Sequence, residues 1–254
     1  MLKNKTILIT GGGSGIGESL TKQLSKINKV IICGRNEDKL KKVATENDNV
    51  TYFVADVTNP LEIDGLFEQF SATGIVLDVL FNNAGVVELW DITTAKFSSA
   101  EIFSKVNTNF TGAVCIVKNF YNQANHSVEN YIVNITSEVA IMPVPVLSLY
   151  SSSKSGLSVF TKSLRLQLKN SKFKVVEILP PAVETKMTTQ DLNNTSKLEK
   201  PDVFAENVIK NINNGKLEYA PGSNAFQLNL IRRFFPKSGL KLIDKLSRKQ
   251  LIVK

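Results

Sequence analysis

Thr6-Ile7-Leu8-Ile9-Thr10-Gly11-Gly12-Gly13-Ser14-Gly15-Ile16-Gly17 is the stretch whose reading decides the fold. Five β-favouring residues run into a glycine-dense loop, and a segment of helical period follows from Ile16 to Ile27. Glycines at such a junction let the chain turn sharply and bring backbone N–H groups up to a pyrophosphate. The positive end of the next helix then stabilises the anion. The spacing is Gly11-x-x-x-Gly15-x-Gly17, distinct from the G-x-G-x-x-G of the commoner dinucleotide loop. A tight turn without a ligand would use the same residues, so the loop takes its meaning from what surrounds it.

Outward from this loop, short apolar runs alternate with helical segments. Strands are predicted at Thr6–Thr10, Val30–Cys33, Thr51–Ala55, Leu77–Asn82, Tyr131–Thr136, Val175–Leu179 and Leu217–Ala220. Helices are predicted at Ile16–Ile27, Glu37–Glu46, Pro60–Ser71, Ser98–Ala124, Leu149–Lys169 and Pro201–Asn213. Most strands are continuous apolar runs without alternation, which suits strands covered on both faces. The repeat predicts an α/β fold: a doubly wound, Rossmann-like parallel sheet of about seven strands flanked by helices. Residues 1–225 form its dinucleotide-binding and catalytic domain, and 226–254 a basic amphipathic helical tail.

Charge follows the same division. The 254-residue chain carries a formal +8, of which the eight basic residues and one acid of the tail supply +7. Such a tail fits an anionic membrane surface or an acidic partner, or a solvated helix face on the domain or a dimer. Its only aromatic pair is Phe234-Phe235, so no nucleic-acid partner is expected. Cys33 and Cys115 lie far apart in apolar runs, too few for a disulfide framework or a zinc cluster. With no signal-peptide pattern and no apolar stretch of spanning length, the expected location is the cytoplasm. His126 is the only histidine and sits in a polar loop, which disfavours a Ser-His-Asp hydrolase. No metal-ligand cluster stands out.

Dinucleotide choice is read at the end of the second strand. An NAD-specific site places an acid there for the ribose 2′-hydroxyl, whereas this chain has Cys33-Gly34-Arg35. Gly34 removes the charge that would repel a 2′-phosphate, and Arg35 offers a donor fork for one. NADP(H) is therefore expected over NAD(H).

Tyr150 and Lys154 stand four residues apart at the start of a helical segment, on one helix face. A free tyrosine, with a pKa of about 10, is a poor acid–base at neutral pH. A nearby ammonium, aided by an oxidised nicotinamide ring, is expected to lower it by about two to three units. Ser137 lies thirteen residues before Tyr150, at the end of the fifth strand.

Together with Thr10-Gly11-x-x-x-Gly15-x-Gly17, Asp56-Val57, Asn82-Asn83-Ala84-Gly85 and Asn109-Phe110-Thr111-Gly112, these residues resemble the short-chain dehydrogenase/reductase superfamily, to about Met187. Pro180-Pro181-Ala182-Val183-x-Thr185, Ile32-Cys33-Gly34-Arg35-Asn36 and the basic tail look most similar to its DltE-like oxidoreductases. The resemblance implies Tyr150 as general acid/base, Ser137 as hydrogen-bond donor to the reacting oxygen, and Lys154 as the group that tunes Tyr150 and binds the nicotinamide ribose. It implies Asn109 as the anchor of a relay water, Asp56 and Val57 beside the adenine, and Asn83, Ala84 and Gly85 along the dinucleotide. Gly11, Gly13, Ser14, Gly15, Ile16 and Gly17 would hold the pyrophosphate, and Pro181, Val183 and Thr185 the nicotinamide end. Pro181 departs from the family's usual glycine, fixing φ and removing an N–H.

The implied reaction is hydride transfer between NADP(H) and an alcohol or carbonyl, small and hydrophobic. The alternative is a catalytically silent nucleotide-sensing or scaffold protein that keeps the fold. Val87–Trp90, Val139–Val144 and Met187 are expected to face the substrate, with residues 185–200 a mobile lid. A homodimer through Ser98–Ala124 and Leu149–Lys169 is implied by resemblance.

Overall fold

The computed structural model describes residues 2–93, 95–189, 198–221 and 224–250, with the side chains of 224, 249 and 250 left aside. The first half runs β1 (Thr6–Thr10), α1 (Gly15–Leu24), β2 (Lys29–Gly34), α2 (Glu37–Thr45), β3 (Val50–Val54), α3 (Pro60–Ala72) and β4 (Val79–Asn82). Then come α4 (Ser99–Val106), a π-helical turn (Asn107–Thr111), α5 (Gly112–Gln123), β5 (Asn130–Ile135), a 3₁₀ turn (Glu138–Ala140) and α6 (Ser148–Gln167). The chain closes with β6 (Phe173–Ile178), α7 (Lys186–Thr189), α8 (Pro201–Asn213), β7 (Glu218–Tyr219), α9 (Asn224–Phe234) and α10 (Pro236–Gln250).

Local chemistry sets the helix starts. Asn36 and Asn59 cap α2 and α3 through their side chains, and Pro60 occupies the first turn of α3. Ser98 and Glu101 form a reciprocal capping box on α4. The seven strands make one parallel sheet of order β3-β2-β1-β4-β5-β6-β7. One face buries Leu20, Leu40 and Phe204 of α1, α2 and α8; the other buries Phe67, Phe120 and Leu164 of α3, α5 and α6. Central β4 and β5 are buried along their whole length, as apolar strands covered on both faces should be. The winding direction reverses between β1 and β4, which opens a crevice at the carboxyl ends of these strands.

Two expected helical stretches carry finer detail. The helix predicted over Ser98–Ala124 runs continuously from Ser99 to Gln123 with a π turn inside it, where the Gly112 N–H reaches back to the Asn107 carbonyl. An added Cβ at Gly112 would stand 2.1 Å from the Val57 carbonyl oxygen, so the π turn falls where the loop after β3 presses on the helix. The helical tail is two helices, because Pro236 lacks the N–H needed to continue α9. Among the described residues no helix is long and apolar enough to cross a membrane.

Candidate active site

The glycine loop closes on itself through close backbone contacts. Gly11 and Gly15 have φ of +67° and +56°, the left-handed region where glycine pays no Cβ penalty. A Cβ at Gly17 would lie 2.3 Å from the Gly11 carbonyl oxygen, so α1 can approach β1 only with glycine there. Ser14 stands at the N-cap of α1 without a side-chain cap, leaving the first-turn N–H groups facing the cleft. Across the loop, Thr10 Oγ1 accepts from the Asn83 and Ala84 N–H groups at 3.0 and 2.9 Å. Asn83 Nδ2 returns hydrogen bonds to the Thr10 and Gly11 carbonyls. Asn83 thus welds the β4 end to the loop.

Gly11, Gly13, Ser14, Gly15, Ile16, Asn83, Ala84 and Gly85 line a cleft of about 650 Å³ that also contains Ser137, Tyr150, Lys154, Pro181, Val183 and Thr185. A connected recess of about 190 Å³ holds Arg35, Asp56 and Val57. Gly17 and Asn109 line neither, and act from behind the surface. The cradle fits a dinucleotide: an uncapped helix N-terminus, glycines at contact distance, and a side recess at the β2 end. Within it Arg35 Nη1 lies 3.9 Å from Asp56 Oδ2, so the guanidinium is shared with a carboxylate. Lys39 lines both cavities, its Cβ 3.3 Å from where a Gly13 Cβ would stand. The sequence reading missed Lys39; its signal was a second cation one helical turn beyond Arg35.

At the other end, β5 delivers Ser137 and α6 delivers Tyr150 and Lys154 into one wall. Ser137 Oγ accepts from the Val139 N–H at 3.3 Å and caps the 3₁₀ turn. A hydrogen bond from Ser137 pulls the Tyr150 pKa down, but burial, the larger effect, holds it above its ordinary value. The lowering expected from Lys154 is therefore not present in the chain alone. The Lys154 ammonium lies 6.0 Å from the Tyr150 ring centroid and donates instead to the Ile135 carbonyl at 2.8 Å. Burial without a counter-charge lowers the Lys154 pKa to about 8. Next to Ser137, burial pushes the Glu138 carboxyl up to about 7.

Asn109, inside the π turn, exchanges both amide groups with the Val86 backbone at 2.8 and 2.9 Å and donates to Ser153 Oγ at 3.2 Å. Its side-chain amide is thus shared between the Val86 main chain and Ser153. A Cβ on Gly85 would meet Asn109 Oδ1 and Lys154 Nζ at 3.2 and 3.4 Å, so this backbone runs beside the lysine. Beyond β6, Thr185 faces Gly15 across the cleft, 3.1 Å from where a Cβ there would stand. Its N–H donates to Thr188 Oγ1, starting α7. Of the expected lid, residues 190–197 lie outside the described residues.

The expected substrate wall changes most. Met187 lines the cleft, but Ile141 and Met142 do not; Ile141 packs against Ala225, and Met142 approaches Gly239. The helix pair at the chain end, invisible to local pattern, turns them away. His126 contacts Tyr121 and Phe173 before β5, at the opposite end of that strand from Ser137. Among the described residues no group of three or more His, Cys, Asp or Glu could hold a metal ion.

A doubly wound sheet with a glycine cradle at its switch point is the frame of a nucleotide-binding α/β protein. A family model described as short chain dehydrogenase matches residues 5–196. The uncharacterized oxidoreductase DltE of Bacillus subtilis is 34% identical over 188 residues, covering 72% of this chain and 73% of its own. An uncharacterized oxidoreductase of Staphylococcus aureus is 31% identical over 213 residues, 82% of this chain and 91% of that protein. A 3-ketoacyl-(acyl-carrier-protein) reductase from Brucella melitensis, solved with NADH, superposes with a TM-score of 0.72 at 29% identity, over 83% of this chain and 91% of that one. A Burkholderia cenocepacia short chain dehydrogenase solved with NADP matches the fold at a TM-score of 0.82 and 20% identity, over 96% of this chain and 98% of its own. The chain belongs to the short-chain dehydrogenase/reductase superfamily, in its DltE-like branch. It is an oxidoreductase of a family that uses NAD(P)(H) on small molecules and is commonly oligomeric.

Proposed function

We propose that this protein interconverts a small hydrophobic carbonyl and its alcohol with NADP(H), as a cytoplasmic homodimer. The observation that carries the reading is the convergence of Ser137, Tyr150 and Lys154 in the cleft lined by the glycine loop. The bound dinucleotide would supply or accept the hydride. Gly11 to Gly17 and the α1 N-terminus would hold its pyrophosphate, with Asp56 and Val57 at the adenine. Asn83, Ala84 and Gly85 would run along it, and Pro181, Val183 and Thr185 would border its nicotinamide end.

In the reductive direction Tyr150 gives its phenolic proton to the carbonyl oxygen as that atom becomes a hydroxyl; in oxidation it takes the proton back. Ser137 donates to the same oxygen and holds it within reach. With the dinucleotide bound, Lys154 would hold its ribose hydroxyls and steady the phenolate, and a pKa lowered to about 8 by burial suits proton release near neutral pH. Asn109 is a positioning residue, fixing the Gly85–Val86 backbone beside Lys154. Arg35 and Lys39 would meet a 2′-phosphate in the side recess; β2 itself ends in Gly34, and Asp56 stands 3.9 Å from Arg35. For dimerisation, Phe103 on α4 and Val159 and Leu166 on α6 are 70%, 65% and 70% exposed, an apolar surface that a second copy would cover. The unpaired Cys33 and Cys115 suit a reducing compartment.

Calorimetric titration with NADPH and NADH tests the reading. NADPH is expected to bind at micromolar Kd and NADH at least about tenfold more weakly, a difference of about 1.4 kcal/mol. Arg35→Asp is expected to reverse that preference. An unchanged ratio removes the NADP assignment, and binding without turnover on a carbonyl and alcohol panel favours the silent sensor.

A further inference from the structure

α9 carries two apolar faces, and the core uses only one of them. Ala225 and Leu228 pack with Ile141 and Leu179, and Ile231 meets Gly239 of α10. On the opposite side of the helix by its period, Phe226, Leu230 and Phe234 form a stripe at four-residue spacing, 68%, 41% and 62% exposed. α10 adds Leu242 and Leu246, about half exposed, beside an exposed stripe of Lys237, Lys241 and Lys245.

We propose that the α9–α10 pair is a peripheral membrane anchor that docks this protein on anionic bilayers. Exposed aromatic and leucine side chains beside lysines and arginines are the composition of an interfacial helix. Such a helix lies in the headgroup plane with its apolar side sunk about 5–10 Å. The charge suits this partner: residues 226–254 hold +7 of the formal +8, and Arg232, Arg233, Lys237, Lys241, Lys245 and Arg248 stand on α9 and α10. The same charge opposes a second copy on this face, since two such tails would meet with like sign.

Docking also deepens the reductase reading. α9 and α10 pack on Ile141 and Met142, and Arg248 pairs with Asp91 at 3.6 Å, so the pair touches the segments after β4 and β5. A docked pair would hold these segments about one helix diameter, ~10 Å, from the bilayer. That is where a water-insoluble alcohol or carbonyl would arrive. This last step rests on the proposed function; the docking does not.

The test is co-sedimentation of the full-length protein with phosphatidylglycerol–phosphatidylcholine vesicles and with pure phosphatidylcholine vesicles. Binding is expected on the anionic vesicles only, weakening as salt screens it. The triple variant K237Q/K241Q/K245Q is expected to lose about 100-fold in partitioning, from about fivefold per lysine. F226S/F234S is expected to lose about tenfold or more at unchanged charge. Both variants alter exposed side chains, so an unchanged circular-dichroism melt is the control for folding. Vesicle binding reports docking alone, whatever the outcome of dinucleotide titrations. No binding to anionic vesicles, or equal binding to both lipids, overturns the proposal. So does a lipid-free assembly, measured by light scattering, that F226S/F234S dissociates; it would assign the face to a second copy.

Discussion

Gly17, just behind the cleft, and Met187, on its wall, belong to opposite kinds of structure. Around Gly17 the walls are backbone: β1, its loop and the start of α1 form one continuous stretch, pinned by Asn83 from β4. Around Met187 they are side chains from separate segments, after β4, after β5 and after β6, with α9 and α10 packed behind. The glycine-loop side is rigid by sterics. The Met187 side is a meeting of surface segments whose residues can change while the frame stands.

The largest effect that could break this comparison is at Tyr150. Tyr150→Phe is expected to lower kcat about 10²- to 10⁴-fold, the usual share of a positioned acid–base, while NADPH affinity stays within about twofold. Retained turnover would remove the proposed chemistry from the substrate wall.

Next comes a matched pair across the cleft. Gly17→Ala forces a Cβ against the Gly11 carbonyl and is expected to cost about 1–3 kcal/mol in chemical denaturation and abolish dinucleotide binding. Met187→Ala is expected to stay within about 0.5 kcal/mol and alter KM alone. Equal stability losses would mean that the two sides are built alike.

The smallest effect concerns Lys154, which ties the sides together. Its pKa is lowered to about 8 in the fold from an ordinary 10.5, so below pH 8 the buried ammonium opposes folding. The opposition fades as pH rises from 8 to 10.5, because the unfolded chain then binds more protons than the folded one. Lys154→Met is expected to be more stable than the parent by about 1–2 kcal/mol at pH 7 and to lose that advantage by pH 10.5. A pH-independent difference in thermal melts would show that Lys154 is charge-paired in the fold.

Legibility followed the same line. The glycine loop and the Tyr150–Lys154 spacing could be read because each expresses a local backbone rule or a helix period, whereas Asn83 and Ser137 were legible only through the family resemblance. Lys39 was missed because its place beside Gly13 depends on how α2 packs on the loop. The π turn was missed because Gly112 yields to the Val57 carbonyl, a contact more than fifty residues away in the chain. Ile141 and Met142 looked like a substrate wall because apolar residues after Ser137 do not reveal which partner covers them.

By itself, then, the sequence determined the alternation of strands and helices, the phosphate cradle and the spacing of Ser137, Tyr150 and Lys154. Steric limits on glycine and the periods of strand and helix act within a few residues and need no partner. Tertiary structure alone decided the direction of the Lys154 ammonium, the balance of burial over hydrogen bonding at Tyr150, and the packing of α9 and α10 behind the substrate segments. Desolvation and packing are set by everything that surrounds a group, and those neighbours come together only in the folded chain.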